Sequence, residues 1–149
     1  REEPWVEQTG LALAPELVAA DGLSPWVRCE ANPLIRVTAE AWSPTAWDSR
    51  FCSDPCVVRD GDRWVMFYFG AFWRPKAFDT FACSYDLVHW TQWEGPDLVA
   101  PSEPYDETYA HKPWLVKHEG VVYHFYCAVG DQGRVIALAT SRELPHRRQ

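Results

Sequence analysis

The stretch WDSRFCSDP, residues 47–55, returns 58 residues later as YDETYAHKP, residues 105–113. From position 47 to position 70, five of 24 residues are identical to those 58 further along the chain. Both copies also keep the same order of a turn, a short apolar run, a charged turn and an aromatic run. A repeat of this length indicates a fold assembled from copies of one supersecondary unit.

Each copy predicts short β-strands joined by tight turns. In the first copy the predicted strands are 55–58, 64–70, 78–84 and, at the edge, about 91–94, with a hairpin turn at 59–62. In the second copy they are 114–116, 121–128 and 135–140, with a turn at 118–120. Helical periodicity is nearly absent. Repeated four-stranded units therefore favour an all-β propeller over a sandwich.

The N-terminal third parallels the outer part of the repeat. Residues 11–17, Trp26 and 32–35 follow the same order as residues 81–87, Trp90 and 95–98. We therefore predict one partial propeller domain over residues 1–149, with about 2.5 four-stranded blades. Its parts are a half blade at about 1–46, a blade at 47–104 and a blade at 105–149.

The segment from Asp54 to Tyr68 resembles a blade signature of the five-bladed propeller glycosidases. It has an Asp-Pro step, apolar residues, an Asp-Gly turn and an aromatic strand. The run SYDLVHW, residues 84–90, is similar to a turn of the same group, which includes family 43 arabinanases, β-xylosidases and invertase-like enzymes. The resemblance spans about Leu11 to Leu144. It implies a five-bladed propeller that cleaves glycosidic bonds of an oligosaccharide.

The resemblance also implies three carboxylates in a central channel: a base, an orienting aspartate and a glutamic acid that donates the proton. Asp54 matches the aspartate of the Asp-Pro step and is the expected base. The next blade departs from the pattern, because Lys112 stands where a second such aspartate would be. We expect Lys112 either to keep a carboxylate ionised or to bind a carboxylate of the substrate.

The remaining catalytic roles are assigned to residues just before Pro55 and Pro113. The expected proton donor is His111 or Glu107, and the expected orienting carboxylate is Asp106 or Asp48. The two aspartates recur at equivalent places, so the alternative for them is an Asx-type turn. Glu107 is alternatively an exposed loop acid, and His111 a residue that stabilises the channel or a structural ion. His124 is expected to be packed rather than catalytic.

Aromatic residues are abundant, with nine Trp, six Tyr and seven Phe in 149 residues. Their flat faces serve either as core filling or as platforms for sugar rings. The candidates for sugar stacking are Trp47, Trp73, Tyr109 and Trp114, which join Lys112 as expected substrate-binding residues.

Charge and cysteine content exclude several classes of partner. The net charge is −7, and the only basic stretch is the tail 142–148, so no nucleic-acid partner is expected. No run of 18 apolar residues is present, so no membrane span is expected. The odd count of five cysteines favours free thiols and a cytoplasmic setting, with secretion left open because the chain begins at Arg1. The Cys52/Cys56 pair is a weak zinc signal, and we expect no cofactor or metal, leaving open a structural calcium in the channel.

Two questions stay open from the sequence. The first is assembly: 2.5 blades leave sheet edges uncovered, so we expect a homodimer that completes a five-bladed ring, the alternative being one half of a longer chain or a ring completed by another polypeptide. The second is activity: the rival to a glycosidase is a non-catalytic carbohydrate-binding or assembly module, which Lys112 in place of an aspartate favours.

Overall fold

A computed structural model of the protein describes residues 6–16, 25–37, 51–71, 77–131 and 133–142. Within these ranges all regular structure is β, which confirms the predicted fold class. No helix in these ranges could serve as a membrane span. Three expected site residues, Trp47, Asp48 and Trp73, lie outside the described residues.

The described strands divide into two sheets. β1 and β2 pair with each other, and the remaining strands form one sheet in the order β3-β4-β5-β7-β8-β9, with β6 paired to β5. The strands are β1 Ala12–Leu13, β2 Val27–Arg28, β3 Phe51–Asp60, β4 Arg63–Ala71, β5 Ala77–Ser84, β6 Thr91–Gln92, β7 Tyr109–His118, β8 Val121–Gly130 and β9 Gly133–Thr140. We call β3–β6 the first blade and β7–β9 the second blade.

The repeat in the sequence is a repeat in the structure. Each blade begins with a hairpin, β3/β4 in the first and β7/β8 in the second, and both turns lie where the sequence predicts them. Glu119 and Gly120 have φ of 48° and 73°, the signs that a type I′ turn requires at both central residues. Gly61 has φ of 64° at the equivalent turn of the first blade.

The innermost strands are longer than the sequence predicts, because each continues through a β-bulge. The register shifts between Ser53 and Cys56 in β3, and between His111 and Trp114 in β7. Proline has no N–H to donate to a sheet and is accommodated at bulges. The predicted strands began at the proline or just after it, whereas the ladder starts earlier and passes through it. The predicted edge strand at about 91–94 is shorter, covering only Thr91–Gln92.

Three small cores hold the blades together. The first blade packs on the N-terminal segment through Ile35, Cys52, Met66, Tyr68 and Ala82. Burial of a large apolar side chain of this kind contributes roughly 1.5–3 kcal/mol. The other face of the first blade meets the second blade through two clusters, Phe69, Ala71 and Ala77 with Tyr109, and Ala110, Tyr126 and Ala128 with Val99. The second blade is therefore docked through its first two strands, β7 and β8.

Candidate active site

Asp54 and Lys112 form an ion pair between the innermost strands of the two blades. Lys112 Nζ donates to Asp54 Oδ2 at 2.6 Å, and the two residues are 58 apart, the length of the repeat. They therefore occupy the same position in adjacent blades. The side chains are 43% exposed for Asp54 and 48% for Lys112, so both charges face solvent.

Both members of this pair have a left-handed backbone. The φ angle is 51° at Asp54 and 62° at Lys112, inside the two bulges. For an L-residue other than glycine this conformation costs roughly 1–2 kcal/mol, although aspartate tolerates it better than most. The bulge turns one side chain of each strand away from the regular alternation, and these two side chains meet.

An aromatic ring lies beneath the pair. Lys112 Nζ is 5.8 Å from the ring centroid of Phe69, and the Phe51 ring stacks on Phe69 at 6.1 Å. An ammonium group over a ring face is attracted by the ring quadrupole. The sequence analysis did not select Phe69 as a site residue. It belongs to the predicted aromatic strand and lies directly opposite Ser53, the residue before Asp54, and this position could have indicated its place in the site.

His111 is buried beside the pair as a neutral imidazole. Its Nδ1 lies 2.8 Å from the carbonyl oxygen of Cys127, which can only accept, so Nδ1 carries a proton, and in the neutral ring Nε2 carries the lone pair. Burial is the main cause that lowers the pKa of His111, and the positive charges of Lys112 and Arg134 lower it further. The hydrogen bond to the Cys127 carbonyl and the charge of Asp54 act in the opposite direction. A neutral ring with its N–H engaged is a poor proton donor and a good hydrogen-bond acceptor.

Asp106 has its partners within the fold. Its Oδ1 accepts from the backbone N–H groups of Ser102 and Glu103, both at 2.8 Å, and its Oδ2 accepts from Tyr126 Oη at 2.8 Å. Burial opposes ionisation, but these three donors together lower the pKa of Asp106. These contacts join the loop before β7 to β8 through Asp106, and its orienting role in catalysis stays a prediction.

We expect Tyr126→Phe to lower the free energy of unfolding by about 1.5–3 kcal/mol, because it leaves a buried charged acceptor, Asp106 Oδ2, without its donor. Urea unfolding measures this. The control is Tyr123→Phe on the same strand, whose hydroxyl makes no described hydrogen bond and whose loss should change stability by less than about 0.5 kcal/mol. Equal effects of the two variants would show that the Asp106 contact contributes nothing.

The other expected site residues lie at different places. Tyr109 packs its ring edge against His111 at 5.5 Å and so belongs to the site. Glu107 is exposed in the loop before β7, where it lines an open depression together with Pro101, Ser102, Glu103 and Pro104. Trp114 is exposed beside Phe125, its cross-strand partner on the second blade.

A buried pair that the sequence patterns did not predict joins the two blades elsewhere. His124 Nε2 on β8 lies 2.8 Å from Asp79 Oδ2 on β5, and both side chains are almost fully buried. Burial raises the pKa of Asp79 to about 6, against the opposing hydrogen bond and charge of His124. Asp79 Oδ1 has no hydrogen-bond partner among the described residues. His124 is packed as expected, but with a polar partner from the other blade.

In the ranges that the structure describes, no group of three or more His, Cys, Asp or Glu side chains is close enough to hold a metal ion. Cys56 is a free thiol, like Cys29, Cys83 and Cys127. The structural calcium left open above stays a prediction.

Comparison with known proteins places this geometry in context. No protein-family model matches the chain, and no curated protein does. A solved structure whose name gives a complex of BT0996 and RGII is 45% identical over 91% of this chain and 36% of its own, with a TM-score of 0.74. Another, named "Glycoside hydrolase", is 44% identical over 93% of this chain and 37% of its own, with a TM-score of 0.75.

A third solved structure shares the fold. It is named "Bombyx mori GH32 beta-fructofuranosidase BmSUC1" and is 21% identical over 60% of this chain and 20% of its own, with a TM-score of 0.52. The chain thus spans little more than a third of the length of the first two structures.

Proposed function

The chain belongs to the β-propeller glycoside hydrolases, and on that premise we propose that it hydrolyses glycosidic bonds of an oligosaccharide by general acid/base catalysis. The observation that supports this most is the Asp54 carboxylate. It is half exposed, on a bulge of the innermost strand, and is held by a cation from the neighbouring blade above an aromatic ring.

In the proposed reaction Asp54 acts as the base. It takes a proton from water, the water oxygen attacks the anomeric carbon, and the bond from that carbon to the leaving oxygen breaks. A second group must deliver a proton to the leaving oxygen. Of the two expected donors, His111 is held neutral with its only N–H bonded to Cys127, so we propose Glu107, and the proposal requires that it reach the bound sugar from the exposed loop before β7.

The neighbouring residues fit roles in sugar binding. In this proposal His111 Nε2, which carries the lone pair of the neutral ring, accepts a hydrogen bond from a sugar hydroxyl. Tyr109 is half-buried and offers ring surface at the same place, whereas Phe69 is buried and supports the pair from beneath. Stacking on Trp47 or Trp73 and an orienting role for Asp48 remain proposals from the family resemblance.

Hydrolysis of a substrate panel tests the proposal. The panel contains aryl glycosides, plant and algal oligosaccharides, and the RGII that appears in the name of a similar structure. Release of reducing sugar from at least one member supports the glycosidase. Binding without turnover, measured by calorimetry on the same panel, favours the carbohydrate-binding module instead, and neither binding nor turnover contradicts both.

We also propose that two copies of the chain complete a five-bladed ring. The second blade exposes a row of apolar side chains, Trp114, Phe125, Ile136 and Leu138, whose counterparts in the first blade face the second. At the other end, Leu13, Trp26 and Val27 of the N-terminal segment are also exposed. Apolar patches of this kind mark interaction surfaces. In a cyclic pair, the row on the second blade of each copy would cover the N-terminal patch of the other copy, so that both patches are buried.

Light scattering at micromolar concentration should give a mass of about twice 17.2 kDa. Ile136→Asp should shift the mass to that of a single copy, because it puts a charge in the middle of the apolar row. The control is Tyr85→Asp. Tyr85 lies in a turn outside the apolar row and is as exposed as Ile136, so this variant should leave the mass unchanged. A well-folded wild-type monomer would exclude this assembly.

A further inference from the structure

We infer that Lys112 is a positioning residue for Asp54, holding its carboxylate at one place between the two blades; this inference rests on the proposed role of Asp54 as the base. The contact carrying it is the 2.6 Å hydrogen bond from Lys112 Nζ to Asp54 Oδ2. Asp54 makes no other side-chain hydrogen bond among the described residues, so within that part of the protein this contact orients its carboxylate.

The backbone of both strands is arranged for this contact. Asp54 and Lys112 occupy equivalent bulges, and both have a left-handed φ that lysine adopts reluctantly. A half-exposed ion pair contributes little to stability, so the pair does not offset the backbone conformation by itself. Residues held in unfavourable backbone conformations cluster at functional sites, where the conformation serves the mechanism.

A second ion pair between β3 and β7 lacks these features and serves as a comparison. Lys117 Nζ lies 3.7 Å from Asp60 Oδ1, with side chains 68% and 46% exposed. Neither residue has a positive φ. Lys117 therefore provides a matched control for Lys112: the same residue type, on the same strand, facing an aspartate of the same neighbouring strand.

Lys112 also rests on Phe69, which restricts its movement. Its Nζ is 5.8 Å from the ring centroid, and the ring itself is packed between Phe51 and His111. A lysine held by a ring on one side and a carboxylate on the other can fix that carboxylate. A lysine at the edge of the fold, such as Lys117, cannot.

Kinetics on a substrate that the wild type hydrolyses test the inference. We expect Lys112→Met, which keeps most of the side-chain stem and removes the charge, to lower kcat about 10- to 100-fold, the effect of a misplaced catalytic group. Its KM should change less than about threefold, because ground-state binding is retained. Lys112→Arg should recover kcat to within about fivefold of wild type. Lys117→Met should stay within about twofold.

The variant Lys112→Gly distinguishes a positioning role of Lys112 from a purely structural one. Lys112→Gly adopts the left-handed backbone without strain, so we expect it to melt at the wild-type temperature or above while losing the same kcat as Lys112→Met. A loss of melting temperature with unchanged kcat would overturn the inference. A loss of kcat/KM confined to substrates that carry a carboxylate, with kcat intact, would make Lys112 a substrate-binding residue and would also overturn it.

Failure of the proposed function can be told apart from failure of this inference. If the wild type hydrolyses no member of the panel, the proposed function fails, and the positioning contact is then measured from stability. The melting temperatures of Lys112→Met, Asp54→Asn and the double variant form a cycle. Non-additive shifts support a specific contact between the two side chains, and additive shifts contradict it.

Discussion

Asp54→Asn is expected to lower kcat by about 10²–10⁴-fold, the contribution of a general base at neutral pH. The amide has nearly the same shape as the carboxylate but cannot take a proton from water. Asparagine also adopts the left-handed backbone found at Asp54 as readily as any residue with a side chain, so the bulge is retained. The measurement is kcat and KM on the best substrate of the panel.

Asp60→Asn is the matched control for this prediction. Asp60 lies on the same strand, has a similar exposed fraction and is also in an ion pair, but at the hairpin turn far from the bulge. Its replacement should leave kcat within about twofold of wild type, because it disturbs only two exposed ion pairs, with Arg63 and with Lys117. If Asp54→Asn retains full activity, the base lies elsewhere and the proposed mechanism is wrong.

Asp79→Ala is expected to lower the free energy of unfolding by about 3–5 kcal/mol, as in other cases where one partner of a buried pair is removed. The substitution leaves His124 buried between the blades without its hydrogen-bond partner and opens a small cavity beside it. Urea unfolding at pH 6 measures the loss. Ser84→Ala removes another buried polar side chain of the same strand and provides a comparison within β5.

The repeat supplies a way to replace the Asp79–His124 pair without leaving a cavity. In the blade register Asp79 corresponds to Ile136, because their partners Phe69 and Cys127 are 58 residues apart, and His124 likewise corresponds to Met66. The double variant Asp79→Ile with His124→Met should recover most of the stability lost in Asp79→Ala, since apolar replacements of buried pairs are often neutral or stabilising. A double variant as unstable as Asp79→Ala would show that the pair is needed for docking of the blades.

The same pair makes stability depend on pH. Because the pKa of Asp79 is raised from 3.8 to about 6, the folded protein binds this proton more tightly than the unfolded protein. The resulting stabilisation is complete below pH 4 and is lost as the pH rises through 6. Relative to Asp79→Asn, the wild type should therefore gain up to about 3 kcal/mol between pH 7 and pH 4. A difference that does not change with pH would contradict the raised pKa.

Local patterns in the sequence predicted the architecture well. The 58-residue repeat, the hairpin turns at Gly61 and Gly120 and the aromatic strands depend on near neighbours and on alternation along one strand, and all are present in the structure. The same spacing of 58 residues places Asp54 and Lys112 at equivalent positions of adjacent blades.

Contacts between blades were decided only by the tertiary structure. The bulges bring Asp54 and Lys112 within 2.6 Å, whereas Asp106, next to them in the predicted channel, has its donors in the preceding loop and on β8. Asp79 contacts His124, which is 45 residues further along the chain, and no sequence motif indicates this contact. The physical reason is that the alternation of side chains along a strand shows only which of them share a face. Which side chain of the next blade each one contacts is decided by the bulges and by the docking of the blades, and both depend on the packing of the whole sheet.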